Sequence, residues 1–119
     1  MLLHALLFVA DVVRMQAFYT GVFDLVAEPG GDADFVRLRG ADGAAGIALH
    51  RLRDTDPVTT PPAWREDSYI KLCFAVTDLD AARARVAQHG GETRDPWTWQ
   101  GRQFSEAVDP EGNRLQLVM

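Results

Sequence analysis

Apolar and polar residues alternate along this chain in two different periods, and the switches between them mark its elements. Leu2 to Ala10 is a nearly continuous apolar run and predicts a first strand buried on both faces. Asp11 follows as a helix N-cap. From Val12 to Phe23 the apolar residues Val12, Met15, Phe18, Tyr19 and Val22 recur at helical spacing, with Gly21 near the end. Leu25–Glu28 reads as a short strand closed by Pro29-Gly30-Gly31. Asp34–Arg39 alternates, with Phe35 and Arg37 on one face and Val36 and Leu38 on the other. After the Asp42-Gly43 turn, Gly46–Leu52 sets Ile47 and Leu49 against Ala48 and His50.

Residues 53–68 are polar and carry Pro57, Pro61 and Pro62, which reads as a linker with one aromatic, Trp64. The first pattern then returns. Tyr69–Val76 is a strand, and Asp78 caps a helix with Leu79, Ala82, Val86 and Ala87 as its stripe and Gly90-Gly91 as its stop. A short strand near Glu92–Arg94 is followed by an aromatic loop, Pro96 to Gly101. Arg102–Val108 is a strand that turns at Asp109-Pro110-Glu111-Gly112-Asn113. Leu115, Leu117 and Met119 alternate on the way out, which leaves Gln116 on the opposite face.

The two halves share an internal repeat. Val9-Ala10-Asp11-Val12 matches Val76-Thr77-Asp78-Leu79, and the same offset sets His4 against Lys71. Gly43 followed by Ile47-Ala48-Leu49 matches Gly112 followed by Leu115-Gln116-Leu117, with a one-residue change in the turn. A half-module of this kind cannot cover its own sheet, so two copies are expected to pack together. The expected division is one domain: module one at about 1–52, a linker at 53–68 and module two at 69–119.

Composition narrows the functions available. The chain has 119 residues, and a formal net charge of -5 argues against nucleic acid, because no basic stripe is present to neutralise phosphates. One cysteine, Cys73, excludes an intrachain disulfide, and no segment is long enough to span a bilayer. His4 interrupts the apolar N-terminus, which lacks a basic leader region, so a cytoplasmic protein is expected.

His4 with Phe8-Val9-Ala10-Asp11, Phe18-Tyr19, Gly90-Gly91 and Asp109-Pro110-Glu111-Gly112-Asn113 together resemble the vicinal oxygen chelate superfamily of glyoxalase I, bleomycin-resistance proteins and extradiol dioxygenases. Trp97, Trp99, Gly101, Arg102 and Phe104 look most like the bleomycin-resistance branch. The resemblance covers essentially the whole chain. It implies an α+β fold of two βαβββ modules, a cup-shaped mixed sheet and a homodimer.

Metal-using members of that family carry one ligand on the first and last strand of each module. By position these fall on His4, Ala48, Lys71 and Gln116. Ala48 cannot ligate, Lys71 is an ammonium that repels a cation, and Gln116 offers a neutral amide oxygen, too little for Zn, Ni or Fe. A weaker set of His4, His50 and Glu106 would resemble a two-histidine, one-carboxylate triad. The expectation is therefore no resident metal, with a divalent ion as the alternative occupant.

By strand parity Leu6, Phe8, Tyr69 and Cys73 join His4, His50, Lys71 and Gln116 on the concave face, with Trp64, Trp97 and Trp99 on loops beside it. Lys71 would pair with an anionic ligand, and Cys73 is expected to be an inert buried thiol. Such a lining suits a small organic ligand, amphipathic or aromatic, bound without chemistry. The alternative is an enzyme of the same superfamily. It would be a metal-dependent lyase or dioxygenase, or a metal-free acid–base catalyst using Lys71 or His4.

Overall fold

The computed structural model describes residues 1–119 and divides into two compact units, Met1–Pro57 and Val58–Met119. In the first, β1 (His4–Val9) leads into α1 (Val12–Phe23), followed by β2 (Val26–Ala27), β3 (Phe35–Arg39) and β4 (Gly46–Arg51). Asp11 caps α1, its carboxylate accepting from Arg14 N at 3.0 Å. The five apolar residues at helical spacing are all buried, and they press α1 onto the sheet. The sheet order is β1-β4-β3-β2, with β1 parallel to β4 and the other pairs antiparallel.

The first strand departs from expectation. Val9 is buried, but Leu6 and Phe8 are exposed, so β1 is covered on one face only. A continuous apolar run does not by itself show that both faces are covered.

In the second unit β5 (Leu72–Ala75) leads into α2 (Leu79–Gln88), followed by β6 (Glu92–Thr93), β7 (Trp97–Trp99), β8 (Arg102–Val108) and β9 (Arg114–Val118). Asp78 caps α2 as Asp11 caps α1, accepting from Ala81 N at 2.9 Å. Leu79, Ala82 and Val86 form the buried stripe; Ala87 faces solvent. The strand order is β5-β9-β8-β6, with β7 paired to another stretch of β8. The expected aromatic loop is therefore a strand, and four strands follow this helix instead of three. Alternating Trp-Thr-Trp pairs with Phe104, Gln103 and Arg102, and its β propensity outweighs the flanking Pro96 and Gly101. The fifth strand is shorter than predicted: Tyr69 and Ile70 precede it and are exposed.

The repeat survives as register. Leu6 pairs with Ala48 in the first sheet, and Cys73 pairs with Gln116 in the second. Each member has moved by the offset found in the sequence, including the extra residue in the turn.

Residues 58–68 belong to the second unit and lie over its β8–β9 turn. Arg65 N donates to Gly112 O at 3.0 Å, and Arg65 Nε donates to Glu111 O at 3.3 Å. Trp64 Nε1 donates to Glu92 Oε2 at 2.8 Å, and the Arg94 guanidinium lies 3.9 Å from the Trp64 ring centre. Arg94 also pairs with Glu66. This strap buries Asp109 completely, together with the turn around it.

Gly112 has φ +83, and a Cβ there would sit 1.8 Å from Ala63 O. Gly43 has the same φ with nothing within 4 Å. Gly43→Ala is expected to cost about 1 kcal/mol of unfolding free energy from backbone strain alone. Gly112→Ala should cost at least about 2 kcal/mol more, because the strap must also lift. Urea denaturation of both variants checks the difference.

The hydrogen bond and charge of Arg94 hold the Glu66 carboxyl below its ordinary range, against a weaker opposing effect of desolvation. A depressed folded value means stability that is present above the ordinary carboxylate pKa and lost as pH falls through the depressed one. Glu66→Gln should flatten the acid side of the stability profile below about pH 4.5 and leave neutral pH nearly unchanged. Urea midpoints measured across that range test it.

Candidate functional site

The face of the second sheet turned away from α2 carries the densest chemistry. Its register comes from the turn. Asp109 and Asn113 close it, with Asp109 N donating to Asn113 O at 3.1 Å, which places Glu106 opposite Gln116 and Phe104 opposite Val118. Leu115, Leu117, Ser105 and Ala107 then point into the core. Gln116, Glu106 and Cys73 form one row across three strands. Cys73 is exposed, not buried, and its Sγ donates to Gln116 Oε1 at 3.7 Å. Its place on the open face explains the exposure.

Lys71 does not stand as a free counter-charge. It forms an ion pair with Glu106 Oε1, with side chains 34% and 15% exposed. Glu106 Oε2 lies 4.0 Å from Arg114 Nη2 and is buried with no hydrogen bond; Arg114 Nε is also buried and unpaired. Arg114 Nη1 reaches Ser68 O at 3.5 Å. One carboxylate thus sits between two cations, leaving a formal balance of +1. The parity of Glu106, open in the sequence, is the face of Gln116.

Beside this polar row, displaced two residues along each strand or roughly 7 Å, runs an apolar one. Trp97 stacks on Phe104 at 5.4 Å and 15°, and Trp99 lies 6.3 Å from the same ring. Trp97 and Trp99 are 40% and 60% exposed. Trp64, by contrast, is tied to Glu92 and Arg94.

In the first unit, His4 pairs with Gly46 and His50 pairs with Phe8. Four strand residues, roughly 13 Å, therefore separate the two histidines. His4 lines a cleft of about 240 Å3 with Arg37 and Gly46. His50 lies between Phe8 and Phe35. Tyr69 is fully exposed outside any strand.

Within neither unit are the donors for a resident metal brought together. The two histidines are too far apart to share an ion, the Glu106 carboxylate is held by an ammonium, and Gln116 is neutral. Nowhere do three or more His, Cys, Asp or Glu side chains gather as a metal would need. Arg114 and Phe104 were not singled out from the sequence as site residues. The signal for both was available, since a turn closed by Asp109 and Asn113 fixes every pair on its two strands.

Two helices and two mixed sheets related by an internal repeat define the α+β fold of the vicinal oxygen chelate superfamily. Within it, residues 4–118 match the family described as "Glyoxalase-like domain", and the chain belongs to that family. A glyoxylase/bleomycin resistance protein/dioxygenase domain from Frankia sp. EAN1pec shares 20% identity, with a TM-score of 0.77 over 100% of this chain and 96% of that one. The fosfomycin resistance protein FosX from Mesorhizobium loti shares 21%, with a TM-score of 0.73 over 100% and 91%. FosX from Listeria monocytogenes, solved with Mn(II) and a dihydroxypropylphosphonic acid, shares 16%, with a TM-score of 0.74 over 98% and 87%. These structures share the fold. A search of curated protein sequences finds no match. No helix is long and apolar enough to cross a membrane.

The Lys71–Glu106 pair should behave as one unit. In a double-mutant cycle of Lys71→Met and Glu106→Gln, the coupling free energy is expected at about 1–2 kcal/mol. The Glu106→Gln single variant should be destabilised, since it leaves Lys71 and Arg114 facing each other without the carboxylate between them. Chemical denaturation of the four proteins measures both quantities.

Proposed function

We propose that this chain is a small-molecule-binding member of its family, working without a resident metal and without chemistry. Its ligand is amphipathic or aromatic and lies on the second sheet. The observation that carries this reading is the adjacency of two rows on one face: Trp97 and Phe104 with Trp99, and then Glu106, Gln116 and Cys73 with Lys71 and Arg114. Aromatic rings at the surface offer contact area at small entropic cost, and the polar row beside them fixes orientation. Tyr69, just ahead of β5, joins this set by strand parity, and we propose that His4, Phe8 and His50 face ligand on the first sheet by the same parity. We further propose that the protein is a cytoplasmic homodimer. The exposed edges of β1 and β5 support self-association, as unpaired strand edges favour a second chain.

Family neighbours include fosfomycin resistance proteins, one of them solved with Mn(II). The donor set described above favours binding over metal-dependent chemistry.

Two measurements test the proposal. Protein purified without chelator should contain well under one equivalent of any transition metal; a stoichiometric metal lost in His4→Ala would restore the enzyme reading. In a thermal-shift screen of aromatic acids, phenols and quinones, hits should quench tryptophan fluorescence, and Trp99→Ala should weaken charged and neutral hits alike. Lys71→Met strips Glu106 of its partner, so an anionic hit should weaken about tenfold or more while a neutral analogue changes little. Hits that leave tryptophan fluorescence unmoved would refute binding at this face.

A further inference from the structure

An acidic ligand on the second sheet meets a lysine that is already occupied. Lys71 is paired with Glu106, and the two side chains differ in reach: Lys71 is 34% exposed and Glu106 15%. A solute therefore approaches the ammonium more readily than the carboxylate. If it simply took Lys71, Glu106 would be left charged and mostly buried without a partner, which is costly.

A second partner for Glu106 stands beside the first. Glu106 pairs with Gln116 and Val108 with Arg114, so Glu106 and Arg114 are diagonal neighbours on one face of β8 and β9. Leu72 pairs with Leu115, so Lys71, one residue earlier, lies beside Arg114. Arg114 is engaged on one side only, where Nη1 reaches Ser68 O at 3.5 Å. Its other edge, Nε with Nη2, is the edge that grips a carboxylate through two parallel hydrogen bonds. Here that edge is not used. Nη2 stops 4.0 Å from Glu106 Oε2, Nε has no partner, and Oε2 has none either. Arg114 makes no other ion pair, since Glu66 in the strap is held by Arg94. A buried donor and a buried acceptor left open on adjacent residues need an explanation. An alternative pairing between them supplies it.

We propose that Glu106 exchanges partners: it holds Lys71 in the ligand-free protein and turns to the Nε–Nη2 edge of Arg114 when the acidic group of a ligand takes Lys71. The inference rests on the second-sheet binding proposed above and deepens it, because the exchange makes that site selective for small organic acids. Arg114 is a positioning residue. It acts on the ligand through Glu106 and keeps its contact with Ser68 in both states.

Nitrogen-labelled full-length protein tests this in two arms. Without ligand, Lys71→Met removes the first partner, so Glu106 should move to Arg114. The Arg114 Nε–H signal should shift, and its exchange with water should slow at least about threefold. Neither change should appear when Lys71→Met is combined with Glu106→Gln. An Nε–H signal that is the same in both proteins overturns the proposal. With ligand, naphthoate and neutral naphthol are titrated against the indole signals of Trp97 and Trp99. Arg114→Gln should weaken naphthoate about tenfold, and Arg114→Lys should recover part of the loss. Glu106→Gln removes the competing carboxylate and should tighten naphthoate about threefold. In that background Arg114→Gln should cost less than about twofold, because no carboxylate remains to be received. A loss of equal size in both backgrounds would put Arg114 on the ligand itself and overturn the exchange. Naphthoate and naphthol that both leave the two indoles unmoved refute the second-sheet reading, and the ligand-free arm then decides the exchange by itself.

Discussion

The Asp109 carboxylate sits in the β8–β9 turn without solvent exposure, and three donors satisfy it: Glu111 N at 2.9 Å, Asn113 N at 3.0 Å and Asn113 Nδ2 at 2.8 Å. Buried carboxylates persist only when their oxygens are met, so this turn admits one arrangement of its five residues. The pairing of β8 with β9 follows by counting outward. Glu106 then faces Gln116, and Leu115 and Leu117 turn inward to meet α2. A slip of one residue would carry Gln116 into the core and Leu117 out of it. The candidate site on the second sheet is therefore a consequence of the turn as much as of the residues that form it.

The two units solve the same folding problem with different material. Both open with a capped helix after a strand, and both pair that strand in parallel with the last strand of the unit. At the central equivalent positions one copy holds Leu6 and Ala48, and the other holds Cys73 and Gln116. The first copy has become an apolar and cationic face. The second has become a charged network flanked by tryptophans. These differences lie on the face away from the helices. On the helix-facing side, apolar identity is held by burial.

Much of the fold was legible because its signals were local. The period of the apolar residues in α1, the aspartate caps and the Asp-Pro-Glu-Gly-Asn turn each depend on neighbours within a few positions. What escaped the sequence was relational. Lys71 meets Glu106 across 35 residues, and nothing near either one announces the other. Trp97 and Trp99 read as a loop because proline and glycine flank them, yet strand pairing with β8 decides the matter. Cys73 looked buried because its strand is apolar, but it stands on the face turned away from α2, where the unit lays nothing over it. Sheet faces also mislead in one direction: the apolar run of β1 predicted burial where Leu6 and Phe8 are left open.

The equivalent turns of the two copies differ in their freedom to change. The strap across Glu111 and Gly112 holds the second turn to its present length, since any added residue would have to displace Ala63 and Arg65. Around Gly43 the chain is exposed and nothing lies over it. Insertions, tags or grafted recognition loops should therefore be tolerated between β3 and β4 and rejected between β8 and β9. A lineage built by duplicating such a module keeps one terminal turn open to experiment while the other stays fixed.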